Sequence, residues 1–476
     1  MLRFIHSADW QLGARFTQFG QRAQQLREAR LDTLRRALAL ARQHNADALL
    51  IAGDLFEDNQ VSDSLVAATL EIFRAHPDVP VYILPGNHDP HTGPDSVWQR
   101  KPFLAPAIPA NVRILRDAAI HDLGGNARLI ASPLHQKRSP NDPSAKLADL
   151  AATLPADTIK IGITHGSPAI ESKHKPDDFP IALNAATRAG LDYLAIGHWH
   201  DWLDTLDNGR ILMPGTPEPD RFANTDNGNI ALVEIPAPRQ PPRVQKLPVA
   251  TLSWRELDYD LAPAAAAPET ARAAFAATLA QHAPDPARTV LRITMKGSAS
   301  PATLSETRAW LETLRAPYLA SQLTDNTKLA LSPAELADLQ TRHPILAQVL
   351  SDIDRLETLA TGNAQALMNN EECRMKNEPP ASPPDSPPAP PLAPPATETP
   401  ATPAGATAPS AHSTFSIIHS TLGGEAAAPA APAAPLTLAE AQTLLASAKI
   451  DLAALPPAFF TQLRQTLLQT LQEISQ

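Results

Sequence analysis

The chain has 476 residues, 43% of them hydrophobic, and a formal net charge of -10. That length exceeds one ordinary core and implies two or three domains, while the acidic balance excludes a protein that coats nucleic acid through bulk positive charge. A lone cysteine, Cys373, excludes an internal disulfide framework and fits a reducing compartment; Met1–Ala8 reads as a strand, not a signal core, and no apolar run reaches membrane-spanning length, so a cytoplasmic protein with no membrane contact is expected.

Along residues 1–250, short apolar runs predict strands at Leu2–Ser7, Ala48–Ala52, Val79–Leu84, Arg128–Ala131, Ile159–Thr164 and Tyr193–Ile196. Helical periodicity occupies Arg22–Gln43 and Ser62–Ala75 between the first three. Strands alternating with helices predict an α/β layered fold. The strand-like runs Arg210–Met213, Asn229–Ile235 and Arg243–Leu247 lack intervening helices, which predicts antiparallel strands at the end of the sheet.

Residues 251–331 read as a small α+β unit, with strands at Ser253–Tyr259 and Thr289–Met295 and helices near Glu269–Gln281 and Ala302–Arg315. Residues 332–372 are a helical segment that opens on a capping box, Ser332-Pro333-Ala334-Glu335. Residues 373–435 form a Pro/Ala-rich linker: Pro379–Pro409 holds 13 prolines in 31 residues, a composition that stays extended, with a reach on the order of 100 Å. An apolar island, Phe415–Ile418, sits within it without an assigned role. Residues 436–476 return to helical pattern, with Phe460, Leu463, Leu467, Leu471 and Ile474 in one stripe, and read as a partner-docking module.

Chemistry-bearing residues follow the predicted strands. Asp9 comes after the first; Gly53-Asp54 after the second; Gly86-Asn87-His88-Asp89 after the third; Thr164-His165-Gly166 and Gly197-His198-Trp199-His200 come later. In open α/β sheets ligands bind beyond the carboxyl ends of strands, so these segments converge on one edge. None is specific alone; in this order they supply a mixed carboxylate, amide and imidazole set suited to two divalent ions and phosphate-ester cleavage. Asp54 is the natural bridging carboxylate; Asp9 and His200 complete one site, and Asn87, His165 and His198 the other. Residues two apart in extended backbone point the same way, which directs His198 and His200 to one cluster and turns Trp199 away. His88 would stabilise charge at phosphorus or protonate the leaving oxygen, with Asp89 orienting its ring. His6, His44, His91, His135 and His174 lack such context and read as structural or surface residues.

These motifs resemble the calcineurin-like metallophosphoesterase superfamily. His6-Ser7-Ala8-Asp9-Trp10, Leu12-Gly13, Gly53-Asp54-Leu55-Phe56 and Pro214-Gly215-Thr216 are similar to its DNA repair exonuclease branch, the nuclease subunit of the SbcCD type. The resemblance implies a layered sandwich of two mixed β-sheets flanked by helices, a small α+β capping domain, and C-terminal helices on the Pro-rich tether that dock on an SMC-like coiled-coil ATPase. It further implies a nuclease acting from DNA ends with two divalent ions, Mn2+ foremost and Mg2+ the alternative, and a homodimer. Where the family carries Asp-x-His, this chain has Asp9-Trp10-Gln11; Gln11 offers a carbonyl oxygen, a weaker ligand than imidazole, so the first metal site is expected to bind less tightly. Arg15, shortly after the first motif, and Trp199 are the candidate substrate contacts. Two competing readings are a small-molecule phosphodiesterase or nucleotide pyrophosphatase on the same site, and a metal-poor DNA-end scaffold.

Overall fold

The computed structural model describes residues 1–330, apart from 172, 174, 224, 225, 265 and 266, together with 337, 341 and 342. The expectations for the rest of 332–372, for the linker, for the Phe415–Ile418 island, for the docking module and for His174 lie outside the described residues.

The central strands of the first sheet alternate their side chains between two packing environments. In β1 (Leu2–Ser7) Ile5 joins one hydrophobic cluster, while Leu2 and Phe4 join another. In β2 (Ala48–Ala52) Leu49 and Ile51 take the first side, Ala48, Leu50 and Ala52 the second. This period of two means that both faces are covered. One face meets α1 (Ala23–Gln43) and α2 (Asp63–Arg74), through Leu34, Leu38, Val66, Leu70 and Phe73. Ser62 caps α2 by accepting the Leu65 N–H at 3.3 Å, and Asp63 sits in its first turn, where the helix dipole favours an anion.

The first sheet continues with β3 (Val81–Leu84) and β4 (Val112–Ile114) and closes with β11 (Asn229–Ile235) and β12 (Arg243–Pro248), in the order β12-β11-β1-β2-β3-β4. β1 through β4 are parallel neighbours; β11 runs antiparallel to β1 and β12 to β11, as the absence of helices between these segments requires. The second sheet is built from β5 (Ala119–Asp122), β6 (Ala127–Ala131), β7 (Ile159–Ile163), β8 (Tyr193–Ala195), β9 (Leu203–Leu206) and β10 (Ile211–Met213), in the order β5-β6-β7-β8-β10-β9. It too is mixed, since β6, β7, β8 and β10 run parallel while β5 and β9 are antiparallel edges. Phe4, Leu50 and Leu84 of the first sheet pack with Leu129, Ile161, Tyr193 and Leu212 of the second. Helices α3 (Ala145–Ala152) and α4 (Ala185–Arg188) cover the far side of the second sheet, through Leu147, Ala151, Ala185 and Ala186 against Ile130, Leu194 and Ile211. The fold is thus a sandwich of two mixed sheets flanked by helices.

His6, in β1, is fully buried between the sheets, where its Nδ1 lies 2.8 Å from the Tyr193 hydroxyl. Burial pushes this imidazole down to about 3, so it is a neutral structural histidine.

Downstream lie β13 (Ser253–Asp260), α5 (Leu261–Ala264), α6 (Pro268–His282), β14 (Thr289–Ala299), α7 (Pro301–Arg315) and β15 (Ala320–Leu329), with the sheet order β13-β14-β15. Among the described residues, two compact units divide the chain: Met1–Tyr259 with Ala267–Thr294 and Ala309–Thr324, and 260–264 with Met295–Arg308 and 325–330. Within the second, Arg308 pairs with Asp325. No described helix is long and apolar enough to cross a membrane.

Candidate metal centre

Five loops meet beyond the carboxyl ends of β1, β2, β3, β7 and β8, drawing on both sheets. The first two are joined by backbone hydrogen bonds: Asp9 N–H to the Gly53 carbonyl at 3.1 Å, Gln11 N–H to Asp54 O at 3.1 Å, and Leu12 N–H to Leu55 O at 2.9 Å. The other sheet makes a similar link, Gly166 N–H to Gly197 O at 3.1 Å. Gly53 and Gly86 allow the close approach: a β-carbon on the first would strike the His165 ring, and on the second the Asp54 carboxylate.

The predicted ligands are brought together. Asp9, Asp54 and His165 offer donor atoms within 4.8 Å of one another. His165 Nε2 stands 3.4 Å from Asp54 Oδ2 and 2.9 Å from Asn87 Oδ1, and the same Asn87 oxygen lies 2.8 Å from His198 Nδ1. Asp9 Oδ2 accepts the His198 backbone N–H at 3.0 Å. Gln11, also buried, donates from Nε2 to Asp54 Oδ2 at 3.1 Å.

Each imidazole has an outer partner. His165 Nδ1 donates to the Ala52 carbonyl at 2.8 Å, His198 Nε2 lies 3.0 Å from Asp178, and His200 Nδ1 lies 2.8 Å from Asp220. A partner on one ring nitrogen fixes the tautomer and presents the other nitrogen as a ligand. Asp178 and Asp220 were not foreseen; each lies in a loop close to another acid, without periodicity or motif to single it out.

Electrostatics reflect this crowding. Burial alone would lower the His165 imidazole, but the Asp54 carboxylate and then Asp9 outweigh it and push it up to about 9. Burial would raise Asp54, yet His165 and His88 hold its carboxyl well below the usual range. Burial raises the Asp9 carboxyl against the opposing pull of His165 and His200. Burial also works to raise Asp220, which its His200 hydrogen bond and Arg30 nevertheless hold low.

Two buried oxygens, Asp9 Oδ1 and Gln11 Oε1, accept no hydrogen bond among the described residues. An unpaired buried acceptor costs about 1–3 kcal/mol, which a cation would offset. Carboxylate and amide oxygens with backed imidazoles are the donor types that hold divalent ions, so the residues fit the metals that the motifs imply.

The remaining predicted residues are placed as follows. His88 reaches the cluster's edge: its N–H donates to Asp54 Oδ1 at 2.9 Å, and its ring Nδ1 donates to the Glu57 carbonyl at 2.9 Å. The expectation that Asp89 orients this ring is corrected, because both Asp89 oxygens are occupied by the Phe56 and Gly86 N–H groups, at 2.9 and 2.8 Å; Asp89 fixes the loop, and Glu57 holds the ring. His198 and His200 lie past the end of β8, and His198 has φ +140°, so turn geometry and not strand alternation aims them. Trp199 is half-buried, donating Nε1 to Ser167 Oγ at 3.1 Å while it lines the cavity wall. Arg15 is 81% exposed at its side chain and pairs only loosely with Asp58, at 4.0 Å, away from the cluster.

Beside the cluster opens a cavity of about 520 Å³, lined by Gln11, Glu57, His88, His198, His200 and Asp220, with Trp199, Trp202 and Arg221 on its walls. That volume suits a small molecule or one unit of a polymer.

Comparison with known proteins bears on this geometry. The chain is 25% identical over 246 residues to the uncharacterised metallophosphoesterase YhaO of Bacillus subtilis, covering 49% of this chain and 57% of that protein. It is 31% identical over 131 residues to a subunit of nuclease SbcCD of Rhodobacter capsulatus, covering 27% of this chain and 28% of the relative. The chain therefore spans only part of the length of these curated relatives. Among solved structures, it is similar to TT1561 of Thermus thermophilus (13% identity, TM-score 0.36, 52% of this chain and 99% of that one) and to a dimetal phosphatase from Danio rerio (15%, 0.32, 52% and 98%). The calcineurin-like phosphoesterase family profile matches residues 2–202, the stretch that carries every predicted ligand. Over these residues, the chain is similar to the calcineurin-like phosphoesterase family.

Proposed function

We propose that this protein is a divalent-metal phosphodiesterase acting on DNA, the nuclease member of a complex with an SMC-like ATPase. The observation that carries the reading is the convergence of Asp9, Asp54, Asn87, His165 and His198 on one buried point beside an open cavity. The similarity to a subunit of an SbcCD nuclease supports DNA as the substrate. The C-terminal helical pattern in 436–476, on its Pro-rich tether, supports an ATPase partner.

Asp9, Gln11, Asp54 and His200 would hold one ion, and Asn87, His165 and His198, sharing Asp54, the other. When bound, two divalent ions neutralise phosphate charge and activate water, with Mn2+ the ion favoured here and Mg2+ the alternative. The chain's own residues do the rest. Asp9 and Asp54, both buried, would hold the ions through their carboxylates. His88 presents Nε2 to the cavity, because Glu57 occupies Nδ1, and gives a proton to the leaving oxygen. Trp199 and Trp202 form part of the cavity wall beside His88.

Purified protein should cut linear DNA and bis(p-nitrophenyl) phosphate with Mn2+; both activities should fall at least about a hundredfold in Asp54→Ala, and DNA cleavage, whose leaving alkoxide needs a proton, should fall likewise in His88→Ala. Cleavage of the small diester without DNA would favour the alternative, a small-molecule phosphodiesterase, which the cavity's size supports. Failure on both substrates, with metals bound, would refute the phosphoesterase reading itself.

A further inference from the structure

The segment that follows Pro214-Gly215-Thr216 is tied at alternate residues to three different parts of the fold. Thr216 N–H donates to the His200 carbonyl at 3.1 Å, and its hydroxyl to the Glu218 carbonyl at 2.9 Å. The Glu218 side chain is buried and fully used: it accepts from the Thr33 hydroxyl of α1, from the Thr251 N–H at 2.7 Å and hydroxyl at 2.9 Å, and from the Leu252 N–H at 3.1 Å, just before β13. Two residues on, Asp220 holds His200 Nδ1 at 2.8 Å. Two further on, the Phe222 ring packs edge-on against Trp254 of β13, centroids 4.8 Å apart, under the Arg292 guanidinium of β14 at 4.0 Å. Trp254 also meets Phe16 and Phe19, at 6.2 and 5.6 Å, in the segment after Gln11. Its indole N–H is buried without a partner among the described residues, a cost accepted for the ring's packing.

We propose that Glu218–Phe222 is a positioning strap: Asp220 sets the His200 imidazole, and Phe222 ties that setting to β13 and β14 through Trp254 and Arg292. The inference rests on the reading of His200 as a metal-centre residue. Its physical basis is that imidazole affinity for a metal depends on how firmly the distal nitrogen is held; loss of such a partner weakens binding about 10–100-fold. Phe222 and Trp254 touch no reacting group, so their effect on His200 passes along the strap, through Asp220 and through Arg221, whose guanidinium also lies 3.0 Å from His200 Nδ1.

The test is Mn2+ titration of the full chain by calorimetry, alongside thermal unfolding, in Asp220→Ala, Phe222→Ala, Trp254→Ala and Trp254→Phe. Leu147→Ala, in the helical layer on the second sheet, is the control for general destabilisation. The strap predicts that the first three weaken one of the two bound ions about tenfold and leave the other unchanged. Trp254→Phe should restore the wild-type isotherm, and Leu147→Ala should lower Tm without altering it. Isotherms like wild type in Phe222→Ala and Trp254→Ala, or an equal weakening in Leu147→Ala, would overturn the proposal. An unchanged isotherm in Asp54→Ala would instead remove the metal-centre reading, and the strap with it.

Discussion

Metal binding at this site should compete with a proton on His165. In the metal-free protein, Asp54 at 3.4 Å and Asp9 hold that imidazole protonated up to about 9, despite full burial. A cation needs the Nε2 lone pair, because Nδ1 is committed to the Ala52 carbonyl, so binding must release this proton. At pH 7 the site lies about two pH units below the titration, which makes binding about a hundredfold weaker than at high pH, or roughly 3 kcal/mol. The folded pKa is raised above the unfolded value of 6.5, so the charged ring contributes stability that is complete below pH 6.5 and is lost as pH climbs through about 9. Metal-free protein should therefore lose stability from pH 6.5 to 9, whereas metal-loaded protein should not. Calorimetric Mn2+ titrations of chelator-stripped protein, in buffers of differing ionisation enthalpy, measure both quantities: about one proton released near pH 7 by the ion that His165 holds, and log K for that ion rising about one unit per pH unit. A flat affinity between pH 6.5 and 8.5 with no proton release would refute this account of His165.

Three further outcomes are expected. The neutral His6 is held down to about 3 by burial, so its contribution is present above the unfolded pKa of 6.5 and lost as pH falls toward 3; urea unfolding should show about 2 kcal/mol less stability at pH 5 than at pH 7, a difference that disappears in His6→Phe. Asp89→Ala strands the buried Phe56 and Gly86 N–H groups, and chemical denaturation should register a loss of about 2–5 kcal/mol, well beyond a surface substitution. Gln11→His exchanges an amide oxygen for an imidazole, and the number of Mn2+ ions retained after gel filtration should rise, with affinity at the weaker site increasing roughly tenfold.

Much of the sandwich was legible because its strands are apolar and bounded by turn residues. Leu2–Ser7, Ala48–Ala52 and Asn229–Ile235 form at their predicted limits. The strands that escaped notice lack that signal: β4 is three residues long with Arg113 at its centre, β5 is largely half-exposed, and β9 and β15 are rich in polar residues. These are edge or outer strands, whose hydrogen bonding depends on a neighbour and not on their own composition. The same division applies within the site. Residues inside short glycine-bearing motifs at strand ends could be read from sequence, whereas Glu57, Asp178 and Asp220 could not, because each acts through a partner distant in the chain: Asp220 holds a ring twenty residues upstream.

Backbone strain at the centre separates a site from a fortuitous cluster of polar residues. Asp9, Gln11 and Asp54 have φ of 54°, 46° and 55°, and His198 has 140°, conformations that side chains other than glycine seldom adopt. Each costs about 1–3 kcal/mol and persists only where the surroundings enforce it. Here the enforcement is visible: the paired loop amides hold Asp9 and Gln11, and the Asp9 carboxylate grips the His198 N–H. Relaxing any one of these residues to ordinary backbone would swing its side chain out of the cluster. A chain under selection for stability alone would place glycine or asparagine there. This chain instead keeps the side chains that the chemistry uses and spends part of its packing energy on holding them.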